Sequence, residues 1–413
     1  MSIMPNILIV GYYNRKDYLD LFKGCLGYCK FYFIDYASKK EISNDFYKTY
    51  GEAVFWGDFK NATELLLHVK PHKVVFFFIE SYYHVLMNLA CQEHGIPTYL
   101  IDHGIRDINI NIRFETHLIT QASTTSPSSY IKKLLQFKER LKARYFLRNS
   151  VNALSKANSD FFWIFYRIRK NNGVIATLNK IASPLRVANA YISFSPKVYE
   201  VHKLHDHLPN DKRVHYIGIP SFDHLAGQKP AFVKKPQIVF LDQGLAVRRF
   251  FNWNKENYRQ FLEAFANICT NAGYQLLVKL HPIQPHTDVQ LWNSFQNVKV
   301  IDNEELTLQL PYTQLIIGFF STYLLPLMAL PFTTVLTLEN HPIGKINVSK
   351  SFIEAGVAHP IYNLEELHGI LQDVEALHQK QLPNKAKFTE EWMYKFDGKA
   401  GERLRDILLS DDL

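Results

Sequence analysis

KVVFFFIESYYHVLMNLACQEHGIPTYLIDHG, residues 73–104, decides the fold. It opens on a β-branched and aromatic run, KVVFFFI (73–79), passes through helical patterning and closes on a second run, PTYLI (97–101). A strand apolar at every position, rather than at alternate ones, is covered on both faces, and helices packed on both sides of a parallel α/β sheet provide that cover. Toward the start of the chain, ILIV (7–10) and FYFIDY (31–36) have the same character. The first half therefore reads as Rossmann-like.

Beyond Gly104 the pattern breaks for about 85 residues, a length typical of an insertion with its own role. It runs through the polar TQASTTSPSSY (120–130) into a basic, helical-looking region, Tyr130 to Lys180, before YISFS (191–195) and VHYIGIP (214–220) resume the strands. SFDHLAGQKPAFVKKP (221–236), rich in turn residues and lysine, reads as a linker. After it come QIVFLD (237–242), YQLLVKLHP (274–282), VKVID (298–302), QLIIGFFST (314–322) and TTVLTLE (333–339), a second α/β unit of the same plan. The expected architecture is two Rossmann-like domains facing a central cleft. The first domain is expected to span residues 1–225, with a basic helical insertion at about 125–185, and the second 226–413.

Bulk properties agree. With 413 residues, 47% of them hydrophobic and 21% charged, the chain can bury two cores, which sets aside disordered and fibrous classes. No run approaches the roughly 18 to 20 apolar residues of a membrane span, and MSIMPNILIVGYYNRKDY lacks a signal peptide's basic lead and cleavage site, so a cytoplasmic location is expected. The four cysteines, Cys25, Cys29, Cys91 and Cys269, lack a second pair to complete a zinc site and read as reduced, structural thiols. A net charge of +8 favours an anionic partner: nucleotide, phospholipid or nucleic acid. Zinc-finger spacing, an RNP-like aromatic pair and a heptad-linked basic region are all missing, so a nucleic-acid-binding protein is the weaker reading.

Open parallel sheets gather ligands at the carboxyl ends of their strands. Asp102-His103-Gly104 follows PTYLI, where a carboxylate and an imidazole beside a permissive glycine suit a general base or, equally, a turn brace. Lys279-Leu280-His281-Pro282 ends a strand in an imidazole suited to a phosphate. Gly318-Phe319-Phe320-Ser321-Thr322 places hydroxyls at a strand-to-helix junction, as a phosphate site or as an ordinary N-cap. Asp242-Gln243-Gly244 is a fourth strand end, readable as a ligand contact or as a turn. Glu304 and Glu305 open a helix.

EHGIPTYLIDHG (93–104), LVKLHP (277–282) and NEELTLQLPYTQLIIGFFSTYLLPLMAL (303–330) resemble bacterial sialyltransferases and polysialyltransferases of the GT-B fold, and the related Kdo and CDP-glycerol transferases of capsule and teichoic acid synthesis. The resemblance implies an inverting transfer from a nucleotide-activated sugar, with a CMP-sugar favoured, to a glycan or lipid-linked glycan of capsule or lipopolysaccharide. In the family an acidic-acidic-Gly motif supplies the base; here His103 holds the middle position, and Asp102 and His103 both remain candidates. His281 and Pro282 match the His-Pro motif that contacts the CMP phosphate, Ser321 and Thr322 match the Ser/Thr motif, and Glu305 matches a ribose-holding carboxylate. Gly104, Lys279, Gly318, Asp242 and Gly244 complete the expected donor set. No cofactor and no obligatory metal are expected, because one leaving phosphate needs no divalent clamp and no suitable Asp-x-Asp loop is present. CDP-glycerol transfer, UDP-sugar transfer and sugar-nucleotide epimerisation are the enzymatic alternatives.

Lys132, Lys133, Lys138, Arg140, Lys142, Arg144 and Arg148 face one acid, Glu139, across the first part of the insertion, with Leu134, Leu135, Phe137, Leu141 and Phe146 between them. With FFWIFYRIRK (161–170), this marks 131–170 as a surface for an anionic membrane or as a helix packed on its own domain with a solvated basic face.

Overall fold

The computed structural model describes residues 4–107 and 137–411. Among them the chain divides into two compact units, one of residues 4–103, 137–223 and 398–411, the other of 104–107 and 224–397. The expected boundary at 225/226 thus falls at 223/224, and two short segments, 104–107 and 398–411, exchange sides.

The first unit holds β1 (Asn6–Val10), β2 (Lys30–Ile34), β3 (Gly51–Ala53), β4 (Lys73–Phe76), β5 (Thr98–Ile101), β6 (Ala190–Ser193) and β7 (Val214–Tyr216). They pair in parallel in the order β3-β2-β1-β4-β5-β6-β7. Leu8, Val10, Val74, Phe76 and Leu100 belong to the main core of this unit, and their neighbours Ile7, Ile9, Val75 and Phe77 are as fully buried on the opposite face. This is why the runs are apolar throughout.

The second unit repeats the plan with β8 (Gln237–Leu241), β9 (Gln275–Lys279), β10 (Val298–Ile301), β11 (Leu315–Gly318), β12 (Thr334–Leu338), a small antiparallel pair β13 (Asn340–His341) and β14 (Gly344–Lys345), and β15 (His359–Ile361). Its parallel order is β10-β9-β8-β11-β12-β15. In each sheet the strand order reverses beside the first strand, at β1/β4 and at β8/β11, which opens a crevice at the carboxyl ends.

The helix Ala400–Leu409 returns to the first unit. Asp223 accepts from the backbone N–H of Ala400 (3.0 Å) and Gly401 (2.8 Å) at its start, and the buried Lys73 amine donates to Ile407 O (2.5 Å) and Ser410 O (2.6 Å) at its end. Anion at the N-terminus and cation at the C-terminus complement the helix dipole. Sequence order alone puts this helix in the second domain; these long-range caps hold it on the first.

Within the insertion, Phe137–Ala153, Lys156–Asn171 and Val174–Lys180 are helices. The first buries Ala143, Phe146, Ser150 and Val151, and the Ser150 hydroxyl accepts from Ala62 N–H (2.7 Å). Lys132, Lys133, Leu134, Leu135 and the stretch 120–130 lie outside the described residues. No described helix is long and apolar enough to cross a membrane. All four cysteines are buried and free, and burial pushes the Cys25 thiol up to about 12.

Candidate active site

In the first unit, β5 carries Asp102 into the interior and not into solvent. Its carboxylate accepts from the Ser193 hydroxyl (2.6 Å) and the Phe194 N–H (2.8 Å), both from the end of β6, and lies 2.5 Å from His202 Nε2. Asp102 is fully buried, and its carboxylate braces the end of β5 against the end of β6. Adjacent residues of extended chain point to opposite sides, and His103 is accordingly the partly exposed one. Its ring packs against Tyr18 (4.6 Å between centroids), Phe77 (5.9 Å) and Phe78 (4.2 Å). Phe77 and Phe78 directly follow β4, a strand of the reversal point, so His103 stands at the crevice where a ligand of this sheet is expected.

In the second unit three of the expected strand ends gather, with different duties. Asp242 is buried and accepts from Tyr258 OH, Gln284 Nε2 (2.8 Å) and Gly244 N–H (3.1 Å). Burial raises its pKa, against the pull of these hydrogen bonds. Its oxygens therefore tie the Gln243-Gly244 turn to the loop after β9, where the Gln284 side-chain Oε1 accepts from His281 N–H (2.8 Å). Gly244 has φ +63°, and a Cβ there would lie 3.1 Å from Ile283 and Gln284, so the glycine is needed for both conformation and space. Glu305 forms an ion pair with Lys299, and its backbone N–H caps on Asp302 (2.8 Å), a local role at the start of the helix Asn303–Gln309.

His281 is partly exposed and Pro282 exposed. The ring Nδ1 accepts from Ile283 N–H (3.1 Å), and an Arg248 guanidinium nitrogen lies 2.7 Å from Nε2. An arginine only donates, and the same nitrogen lies 3.3 Å from Nδ1, so the guanidinium donates to whichever nitrogen of the His281 ring lacks a proton. Two residues back, the Lys279 amine sits 4.8 Å from the centroid of the Tyr323 ring, and burial lowers its pKa to about 8. Ser321 Oγ accepts from Tyr323 N–H (3.2 Å), while Thr322 Oγ1 accepts from Ile105 N–H (3.3 Å), which anchors the segment after Gly104. Gly318 packs at the reversal point, where a Cβ would lie 3.3 Å from Leu241 O. Among the described residues no three His, Cys, Asp or Glu side chains group as a metal set.

Arg248, Gln284, Tyr258 and His202 escaped the sequence reading. The one legible signal was Arg248, a cation on the short helix Leu245–Arg248 directly after the Asp-Gln-Gly turn.

Three solved structures share the two-unit plan over nearly the full chain. The kitacinnamycin glycosyltransferase is 13% identical, covering 98% of both chains, with a TM-score of 0.51. CalG4, the calicheamicin glycosyltransferase, is 11% identical over 99% of this chain and 98% of its own (0.52). A variant of the wall teichoic acid polymerase TagF is 11% identical over 98% and 88% (0.52). No curated protein matches in sequence. The fold is that of the GT-B glycosyltransferases. Residues 59–339 match the family model described as alpha-2,8-polysialyltransferase (POLYST), and the chain belongs to that family and is a glycosyltransferase.

Proposed function

We propose that the chain is an inverting, metal-independent transferase that moves an acidic sugar from a CMP-activated donor to a glycan hydroxyl in surface polysaccharide or glycolipid synthesis. The Arg248 guanidinium set against the His281 ring, close in sequence to the half-buried Lys279, carries the reading: a guanidinium, an imidazole and an amine suit one phosphate. His103 takes the proton of the acceptor hydroxyl as its oxygen bonds the anomeric carbon, and the bond from that carbon to the phosphate oxygen breaks. CMP leaves with its added charge neutralised by Arg248, His281 and Lys279. Asp242 and Gln284 hold the His281 loop and the Gly244 turn in place.

Calorimetry with CMP, CDP, UDP and GDP tests the proposal. CMP is expected to bind best, and Arg248→Ala or His281→Ala to weaken it about tenfold or more, the range for a charge-assisted hydrogen bond. A preference for UDP, with turnover of a UDP-sugar lacking any acceptor, would instead indicate an epimerase. A preference for CDP points to glycerol phosphate transfer.

The acceptor is read as lipid-linked from the insertion. Phe137, Leu141 and Tyr145 form an exposed stripe at helical spacing, flanked by exposed Lys138, Arg140, Lys142, Arg144 and Arg148, and Trp163 and Ile164 are exposed on the next helix. Apolar side chains ringed by cations suit an anionic headgroup layer on the cytoplasmic face. Flotation with phosphatidylglycerol vesicles should carry the protein, and Leu141→Glu with Tyr145→Glu should release it; no flotation at high anionic content removes this part of the proposal.

A further inference from the structure

Behind His103 lies a buried chain of charged groups that the transfer chemistry does not touch. Arg186, Asp206, His202 and Asp102 are at most 8% exposed. Arg186 donates to the Asp206 carboxylate (3.1 Å) and to the Asp206 backbone oxygen (3.3 Å), and Tyr191 OH donates to the same carboxylate (2.8 Å). His202 turns Nδ1 toward Asp206, 3.8 Å away, and Nε2 toward Asp102, 2.5 Å away. The groups come from the loop before β6, from β6 itself, from both turns at the end of the helix Pro196–His205 and from the end of β5. Burial alone would raise the Asp206 carboxyl, but His202, Arg186 and Tyr191 hold it well below the usual carboxylate range.

Buried charges are costly unless balanced, and removing one partner of a balanced set costs more than the set contributes to stability, so such sets often serve to specify geometry. Here two carboxylates face a guanidinium and an imidazole that lies between them. This set of groups ends one residue before His103; the Asp102 carboxylate is met by Ser193, Phe194 N–H and His202, and its backbone N–H donates to Ile192 O (3.1 Å).

We infer that Asp102 and His202, backed by Asp206 and Arg186, are positioning residues for the transfer reaction: they hold the end of β5 so that His103 presents its ring at the reversal point. This rests on the reading of His103 as the base. A misplacement of about 1 Å costs roughly 100-fold in rate, so that is the loss expected of Asp102→Asn.

The test compares Asp102→Asn, His202→Gln, the double variant and His103→Ala in the full chain, following kcat, KM for the donor, and the pH profile of kcat. Asp102→Asn and His202→Gln should each lower kcat about 100-fold, with KM within twofold and the acidic limb of the profile retained. In the double variant two neutral amides can hydrogen-bond to each other, and at least tenfold of the loss should return, which also covers the case in which a single variant fails to fold. His103→Ala should remove both the rate and the limb. Loss of the limb in Asp102→Asn makes Asp102 the base and overturns the inference, as does an unchanged kcat or a double variant no better than the worse single one. Full activity of His103→Ala with donor binding intact would instead sink the base assignment itself.

Discussion

Donor binding should take up a proton, and Lys279 is the group that takes it. Its amine has no carboxylate partner among the described residues, lies over the Tyr323 ring and is lowered by burial to about 8 from 10.5. A phosphate bound beside it restores the charged form. With the bound value well above 9, uptake is about half a proton at pH 8, about 0.9 at pH 9 and under about 0.1 at pH 7, and affinity falls about tenfold from pH 7 to 9, or about 1.4 kcal/mol. CMP itself adds nothing at pH 8, because the second ionisation of a phosphate monoester lies near 6. Calorimetric titration at pH 8 in two buffers of different ionisation enthalpy reads the uptake directly, and Lys279→Met should abolish it together with the pH dependence. In the free protein the sign reverses its meaning. The unfolded chain binds the extra proton between about pH 8 and 10.5, so stability from this group rises with pH across that window. Zero uptake in wild type, or equal uptake in Lys279→Met, refutes the placement of the donor phosphate at this amine.

Gly244→Ala imposes a left-handed conformation on alanine and presses on Ile283 and Gln284; about 1–2 kcal/mol of stability should be lost, with weaker CMP binding, by denaturant melts and calorimetry. Asp223→Ala removes two hydrogen bonds at the start of Ala400–Leu409, and about 1–2 kcal/mol of lost stability is expected, with earlier amide exchange in that helix. Transfer activity should survive EDTA, since the single phosphate is met by Arg248, His281 and Lys279; activity lost to EDTA and restored by magnesium contradicts that.

The strands were legible because runs such as KVVFFFI and QIVFLD are buried on both faces, a pattern independent of distant partners. His281 and its loop were legible because a strand runs directly into them. Asp102 was not: its partners Ser193 and His202 lie 91 and 100 residues further on, and nothing local distinguishes a buried carboxylate from an exposed one at a strand end. Asp242 was singled out, but as ligand contact or turn residue alike, because its partners Tyr258 and Gln284 come from a helix and a loop that only the folded sheet brings near. The assignment of Ala400–Leu409 depends on Asp223 and Lys73, separated from it by 177 and 334 residues. Amphipathic spacing shows that such a helix buries a face, not against which unit.

That helix also orders events during synthesis. When the ribosome has passed Asp223, all seven strands of the first sheet exist, yet the side of Asp20–Cys25 against which Ala400–Leu409 packs is still bare, and the Lys73 amine lacks its carbonyl partners. At about 5–20 residues per second the missing helix emerges roughly 10 to 40 s later. The unit made first is therefore the last to close, and a chaperone that recognises nascent chains has a window on it for as long as the second unit is being translated.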